Sequence, residues 1–268
     1  MADAARAGRV TLAVRDILRA VASVHVWHLM GWQEVRQRYR RSTLGPFWMT
    51  ISMGVLVAGM GPLYGRLFNQ NISEYFPFLA VGIIVWQLIF NLIQESAQVF
   101  IGAEQYIKQV RMPLTLHVLR MVWRNTIVFA HNMVVVVLVL VFFLPTYSPV
   151  ALLALPGLAV LLVNAIWLGI LLGTLCARFR DFPPLIAMLA SVAFFLTPVM
   201  WRKEQLGQHT WAAEINPIYH FMEVVRAPLL GQLPAPLSWP VVCLVTVVGF
   251  AATVALFARY RSRIAYWV

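Results

Sequence analysis

From Asn125 to Ala177 the chain carries no Asp, Glu, Lys or Arg, and this 53-residue interval limits what it can fold into. A helix needs about 20 apolar residues to cross roughly 30 Å of hydrocarbon, so the interval holds material for two crossings. The break falls at Pro145-Thr146-Tyr147-Ser148-Pro149, where two prolines end any continuous helix. The same length criterion along the whole chain predicts six spans, at 46–65, 76–93, 126–144, 150–177, 183–201 and 239–258. With 61% hydrophobic and 12% charged residues and a mean hydropathy of +0.76, the chain has more apolar surface than one soluble core of 268 residues can bury. The expected fold class is all-α, a polytopic membrane protein.

A formal charge of +11 could point to nucleic acid. Its distribution gives another reason, because loops on the cytoplasmic side of a membrane retain Lys and Arg. With both termini, the 94–125 loop and the 178–182 loop on one side, 17 of the 21 basic residues fall there; Arg66, Arg202, Lys203 and Arg226 fall opposite. This predicts N-in/C-in topology, a multi-pass protein, and no nucleic-acid partner. Arg15, Asp16 and Arg19 interrupt the early apolar residues, so no cleavable signal pattern is expected. The chain divides into a cytoplasmic segment, 1–45, and a membrane domain, 46–268. Within the first, 28–42 reads as an amphipathic interfacial helix: Leu29, Trp32, Val35 and Tyr39 form the apolar stripe, while Glu34 and Arg38 are spaced i, i+4. Arg36, Arg38, Arg40 and Arg41 follow, at the entry to the first span, where they face anionic lipid or a partner.

Little in the sequence can drive transport or catalysis. No GxxxxGK[ST] occurs and the dipeptide Gly-Lys is absent, which argues against a P-loop. None of the six runs contains an acidic or basic residue, whereas ion-coupled carriers place such groups deep in their spans. Ten scattered acidic residues form no catalytic or metal cluster, and Cys176 and Cys243 stand alone in apolar stretches. The chain is therefore expected to be no enzyme, with no metal or cofactor of its own. In the second span, Gln87, Asn91, Gln94 and Gln98 recur at i, i+4, i+7 and i+11 as one polar stripe. Either it hydrogen-bonds another helix or it lines a polar path. His131, Asn132 and Asn164 read as isolated packing hydrogen-bonders. Gly61/Gly65 and Gly169/Gly173 have the small-xxx-small spacing of close helix contacts, compatible with a dimer seam. The 202–238 segment is unusually apolar for a loop; Asn216-Pro217 reads as a helix start and Gly231 as a stop, leaving a short re-entrant or interfacial helix. On it Glu223 and Arg226 are i, i+3 partners beside His220, either a surface salt bridge or part of a lid.

Taken in order, the basic N-terminus, "RYRRSTLGPFW", "EQYIKQVRMPLTLHVLR", "ARFRDFPPLI" and "LTPVMW…NPIYHFMEVVRAPLLG" resemble the ABC-2-type permease subunits, and among them those exporting O-antigen or capsular polysaccharide. The resemblance implies a homodimer in a bacterial inner membrane paired with two copies of a separate ABC ATPase subunit, which would hold the ATP and Mg. It implies a lipid-linked glycan as cargo, and an interface helix at 28–42. A coupling helix at roughly Glu104 to Pro113 would touch the ATPase, through Glu104, Tyr106, Lys108, Arg111 and Pro113. The first and fifth spans would face the pathway, making Phe47, Trp48, Phe194 and Phe195 candidate lining beside Gln87, Asn91 and Gln94. Asn216, Pro217, His220, Glu223 and Arg226 would sit at the external gate. Arg36, Arg38, Arg40 and Arg41 would hold the ATPase or meet the diphosphate of the cargo, since arginine matches phosphate geometry. Alternatives are an ABC-2 permease for teichoic acid, drug or haem, and a membrane enzyme acting on polyprenyl carriers.

Overall fold

The computed structural model describes residues 2–38, 40, 44–45, 47–143 and 148–268, so Tyr39, Arg41, Pro46 and the expected break at Pro145–Tyr147 lie outside the described residues. Among the described residues all regular structure is helical, with no strand. Five helical stretches are long and apolar enough to cross a membrane: Phe47–Leu67 (α3), Ile72–Gln98 (α4), Thr115–Phe143 (α6), Pro149–Arg178 and Ser238–Trp267. The fourth joins a 3-10 turn, Pro149–Leu153, to α7, Ala154–Arg178; the fifth is α11, Ser238–Tyr260, with a terminal 3-10 turn and the short α12, Ile264–Trp267. Ahead of them stand α1, Ala2–Ala22, and α2, Val24–Arg38. The rest are α5, Glu104–Gln109; α8, Phe182–Leu196; α9, Trp211–Glu214; and α10, Pro217–Leu229.

The centre of the bundle is α4, which packs against α3, α6, α7, α8 and α10. Its middle, from Leu79 to Trp86, is apolar all round, with Leu79, Ala80, Val81 and Val85 fully buried, as the core stretch of a helix must be. Asn71 starts it by accepting a hydrogen bond from the Ser73 amide at 3.1 Å.

Four expectations are corrected. The third predicted span, 126–144, begins instead at Thr115, which shortens the preceding loop and puts Arg120 and Arg124 on the helix. The fifth, 183–201, is helical only from Phe182 to Leu196, because Pro198 offers no amide and disfavours helix in the residue before it. At 1.5 Å per residue α8 is about 22 Å long; Thr197, Pro198 and Val199 continue it as buried non-helical chain. The interfacial helix begins at Val24, four residues before the expected start, and is described through Arg38; its faces differ from the predicted stripe: Gly31 and Val35 are buried, whereas Leu29 and Trp32 are exposed. Gly31 lets α2 approach α6, since a Cβ there would meet the Trp123 ring at 2.9 Å and the Arg120 carbonyl at 3.1 Å.

The small-xxx-small glycines pack within the chain, not across a dimer seam. Gly61 faces Phe76, and Gly65 faces Tyr75 and Ile72; Gly169 faces Val118, and Gly173 faces Val99 and Phe100.

Candidate functional site

The two ends of α4 carry the polar groups. At its C-terminal end the chain turns into α5, where the expected coupling residues stand. Glu104 accepts from Lys108 Nζ at 2.6 Å on the exposed face, and that hydrogen bond and charge hold its carboxyl below the usual range. Arg111 is exposed, and Pro113 offers its carbonyl to the Leu116 amide at 3.1 Å. Tyr106 faces inward in part: the Arg120 guanidinium lies 5.6 Å from its ring centre, and the His117 ring lies 6.2 Å away.

Behind α5 lies an ionic network that sequence reasoning did not assemble. Glu34 on α2 does not pair with Arg38. It stands 3.1 Å from Arg120 Nε, an ion pair without hydrogen-bond alignment, and accepts a hydrogen bond from Arg124. Arg124 extends its other nitrogen to Glu95 at 2.7 Å, and Asn125 donates to the same carboxylate. One arginine thus ties α2, α6 and the end of α4. Asp16 of α1 makes a second tie. It is 2% exposed and accepts from the Leu114 amide (3.2 Å), the Thr115 amide (3.0 Å) and the Thr115 hydroxyl (2.9 Å), capping α6 from another helix. Arg261, at the end of α11, completes it at 2.8 Å. The available signals were the scarcity of acids and the i, i+4 spacing of Arg120 and Arg124. Arg36, Arg38 and Arg40 are exposed and have no ion-pair partner among the described residues.

Between the ends, Gln87, Phe194 and Phe195 come together with Leu56, Met60, Trp86, Phe90 and Ser191 around a groove of about 370 Å³ between α3, α4 and α8. Gln87 donates to Asn91 at 2.8 Å, so the amide stripe partly satisfies itself along its own helix. Gln94 is half-buried further along α4. Phe47 and Trp48 are exposed on the first turn of α3 and do not line this groove; Phe47 packs edge-on to His131. Asn164 acts as a packing hydrogen-bonder, donating to Thr246 and accepting from Trp167.

At the N-terminal end of α4, the non-helical 197–200 chain has polar groups taken up by side chains. Tyr75 donates to Met200 O at 2.7 Å, Arg226 to Pro198 O at 2.6 Å, and Asn216 to Thr197 Oγ1 at 2.8 Å. Asn216 also caps α10 through the Ile218 amide, with Pro217 at the first helical position and Gly231 at φ +76° beyond the last. Arg226 is 4% exposed, pairs with the half-buried Glu223 at 3.0 Å and lies 4.4 Å from the Phe78 ring centre. His220 sits between Ser238 Oγ (3.0 Å) and the Glu214 carbonyl (2.7 Å). Around these groups, Glu74, Arg202, Lys203, Glu204 and Tyr219 line a cavity of about 320 Å³.

Long apolar helices with polar hubs at both ends fit a multi-pass membrane protein. The profile of the ABC-2 type transporter family matches residues 25–230, and the chain belongs to that family. Two similar proteins are both named O-antigen export system permease protein RfbA, from Klebsiella pneumoniae. One is 21% identical over 238 residues, covering 87% of this chain and 91% of the relative. The other is 22% identical over 188 residues, covering 69% and 73%. The family implies an ABC ATPase partner and a membrane setting, and the apolar helices fit a multi-pass membrane protein.

Proposed function

We propose that the chain is the permease subunit of an ATP-driven exporter moving a lipid-linked polysaccharide of the O-antigen type across a bacterial inner membrane. Similarity to O-antigen export permeases along 87% of the chain is the observation that carries this reading. Two copies work with two copies of an ABC ATPase that holds ATP and Mg. Six crossings with both termini cytoplasmic make up the membrane domain, 46–268, with 1–45 on the cytoplasmic face. Support for α8 as a crossing comes from the buried 197–199 chain that lengthens it, because non-helical backbone persists at membrane depth only where protein satisfies it.

In this orientation α5 meets the ATPase through Glu104, Tyr106, Lys108, Arg111 and Pro113. Closure of the ATPase pair pushes α5, and Tyr106 passes the displacement to Arg120, which shares Glu34 with Arg124. The push therefore moves α2, α4 and α6 together. Exposed faces of α3 and α8 border the groove of Gln87, Phe194 and Phe195, where aromatic walls and amides suit sugar rings at the dimer centre. Arg36, Arg38, Arg40 and Arg41 meet the diphosphate of the cargo at the cytoplasmic leaflet. The α10 block forms the external gate.

Deleting the gene in its host tests the proposal. Loss of surface polysaccharide, accumulation of the lipid-linked glycan on the cytoplasmic side, and co-purification with an ABC ATPase are expected. Unchanged surface glycan with loss of another exported compound would refute the cargo.

A further inference from the structure

Residues 2–22 precede the family match, which starts at residue 25, yet they form a helix that packs on α6 and α11. Ala13, Asp16 and Ala20 make its buried face. A second face is apolar and uncovered: Val10, Val14, Leu18 and Val21 recur at i, i+4, i+8 and i+11 and are between 37% and 63% exposed. Arg15 and Arg19, one turn apart, lie to one side of this stripe, while Arg9 is in register with the buried face, one turn before Ala13. All three arginines are exposed and none has an ion-pair partner among the described residues. Asp16 cannot neutralise them, because its carboxylate is buried and taken by Thr115 and Arg261.

We infer that α1 is a membrane-surface helix that binds anionic lipid. An exposed aliphatic stripe with unpaired arginines beside it fits an acyl boundary overlaid by phosphate headgroups, with the arginine stems reaching outward. Charge complementarity selects anionic over zwitterionic lipid. Continuity with the bilayer follows from the helices beneath α1, since α6 and α11 are both long and apolar enough to span. The exposed apolar residues continue into α2 at Val24, Leu29 and Trp32. Because Asp16 on the same helix holds Leu114 and Thr115, seating α1 in the lipid surface fixes the depth at which the α5 loop rejoins the bundle. The inference rests on the membrane setting of the chain and not on its cargo.

The test uses the full chain with Cys176→Ala and Cys243→Ser, a spin label at Leu18→Cys, and a second label in a separate variant at Arg15→Cys. Each is placed in nanodiscs of phosphatidylcholine, with or without phosphatidylglycerol at one part in three. The Leu18 label is expected to collide with oxygen and to be shielded from a water-soluble nickel chelate when phosphatidylglycerol is present; the Arg15 label should stay open to the chelate. Each arginine near an anionic surface contributes about fivefold to docking. Combining R15Q and R19Q should therefore weaken seating roughly 25-fold, and high salt should mimic it. A Leu18 label open to the chelate in both lipids overturns the inference. So does one that leaves water only when an ABC ATPase is added, which would make α1 a protein-docking helix. Neither outcome depends on whether polysaccharide is the cargo.

Discussion

The two ends of α4 solve the same problem, holding helices together with polar groups, by different means. At the α5 end the ties are charge to charge: Arg124 to Glu34 and Glu95, Arg120 to Glu34, Arg261 to Asp16. Apart from Asp16 the groups remain partly open to solvent, and Arg124 Nε stays without a partner. At the α10 end Tyr75 and Arg226 bond backbone carbonyls of a non-helical segment, and Asn216 holds its Thr197 hydroxyl. Ion pairs that share partners can exchange them as helices shift, whereas a side chain bonded to a particular carbonyl fixes one geometry. In the proposed mechanism the α5 end would transmit movement, and the α10 end would move as one block.

Truncating Arg226 should break this contrast most severely. Arg226→Leu leaves the buried Pro198 carbonyl without its donor and the half-buried Glu223 without its counter-charge, a loss of about 3 kcal/mol. Thermal unfolding in detergent should show it, and Arg226→Lys should recover only part, because one ammonium cannot replace the planar fork over Phe78. Arg124→Leu should cost less, about 2 kcal/mol, because its partners are about a quarter exposed and water can rehydrate them. Its transport defect should exceed that of Arg226→Lys, measured as ATP hydrolysis that continues without export. A smaller stability loss with coupling intact would assign the network to structure alone.

Asp16 ranks next. Asp16→Asn keeps the shape but removes the charge that Arg261 and the two amides share, a loss of about 1–2 kcal/mol. Faster hydrogen exchange at Leu114 and Thr115, with slow exchange retained at the centre of α4, would localise the effect. Uniform acceleration would show that α1 supports the whole bundle.

How much of this was legible differs along the chain. Hydropathy found the five long apolar helices, because about 20 apolar residues have few other uses, but not the equally long α1; Asn216-Pro217 with Gly231 marked α10 to within two residues. The start of α6 was hidden because charged residues ended the apolar run at Arg124, although Glu34 and Glu95 compensate that charge from 90 and 29 residues away in sequence. The same limit concealed Asp16, whose partners are 98 to 245 residues distant. Among the candidate site residues, Gln87, Phe194 and Phe195 meet in one groove, while Phe47 and Trp48 stand apart, since a span's period gives the face but not its neighbour.

The mildest test of the contrast uses pH at the α10 end. Burial, aided by the Glu223 charge, raises the Tyr219 hydroxyl above its ordinary value against the pull of Lys203 and Arg226. For Lys203 burial pulls downward, but the hydrogen bond to Glu214 and the proximity of Tyr219 prevail and raise it. Both groups hold their protons more tightly folded than unfolded, so their stabilising share is intact below about pH 10 and is lost as pH rises through the folded values. The melting temperature should therefore fall on the alkaline side. Tyr219→Phe should remove the tyrosine's part of that fall, and Glu214→Gln the lysine's. The ion pairs of the α5 network join carboxylates to guanidinium groups and contain no tyrosine or lysine. An alkaline loss that both variants leave unchanged would place the sensitive groups elsewhere and remove titration as a way of telling the two ends apart.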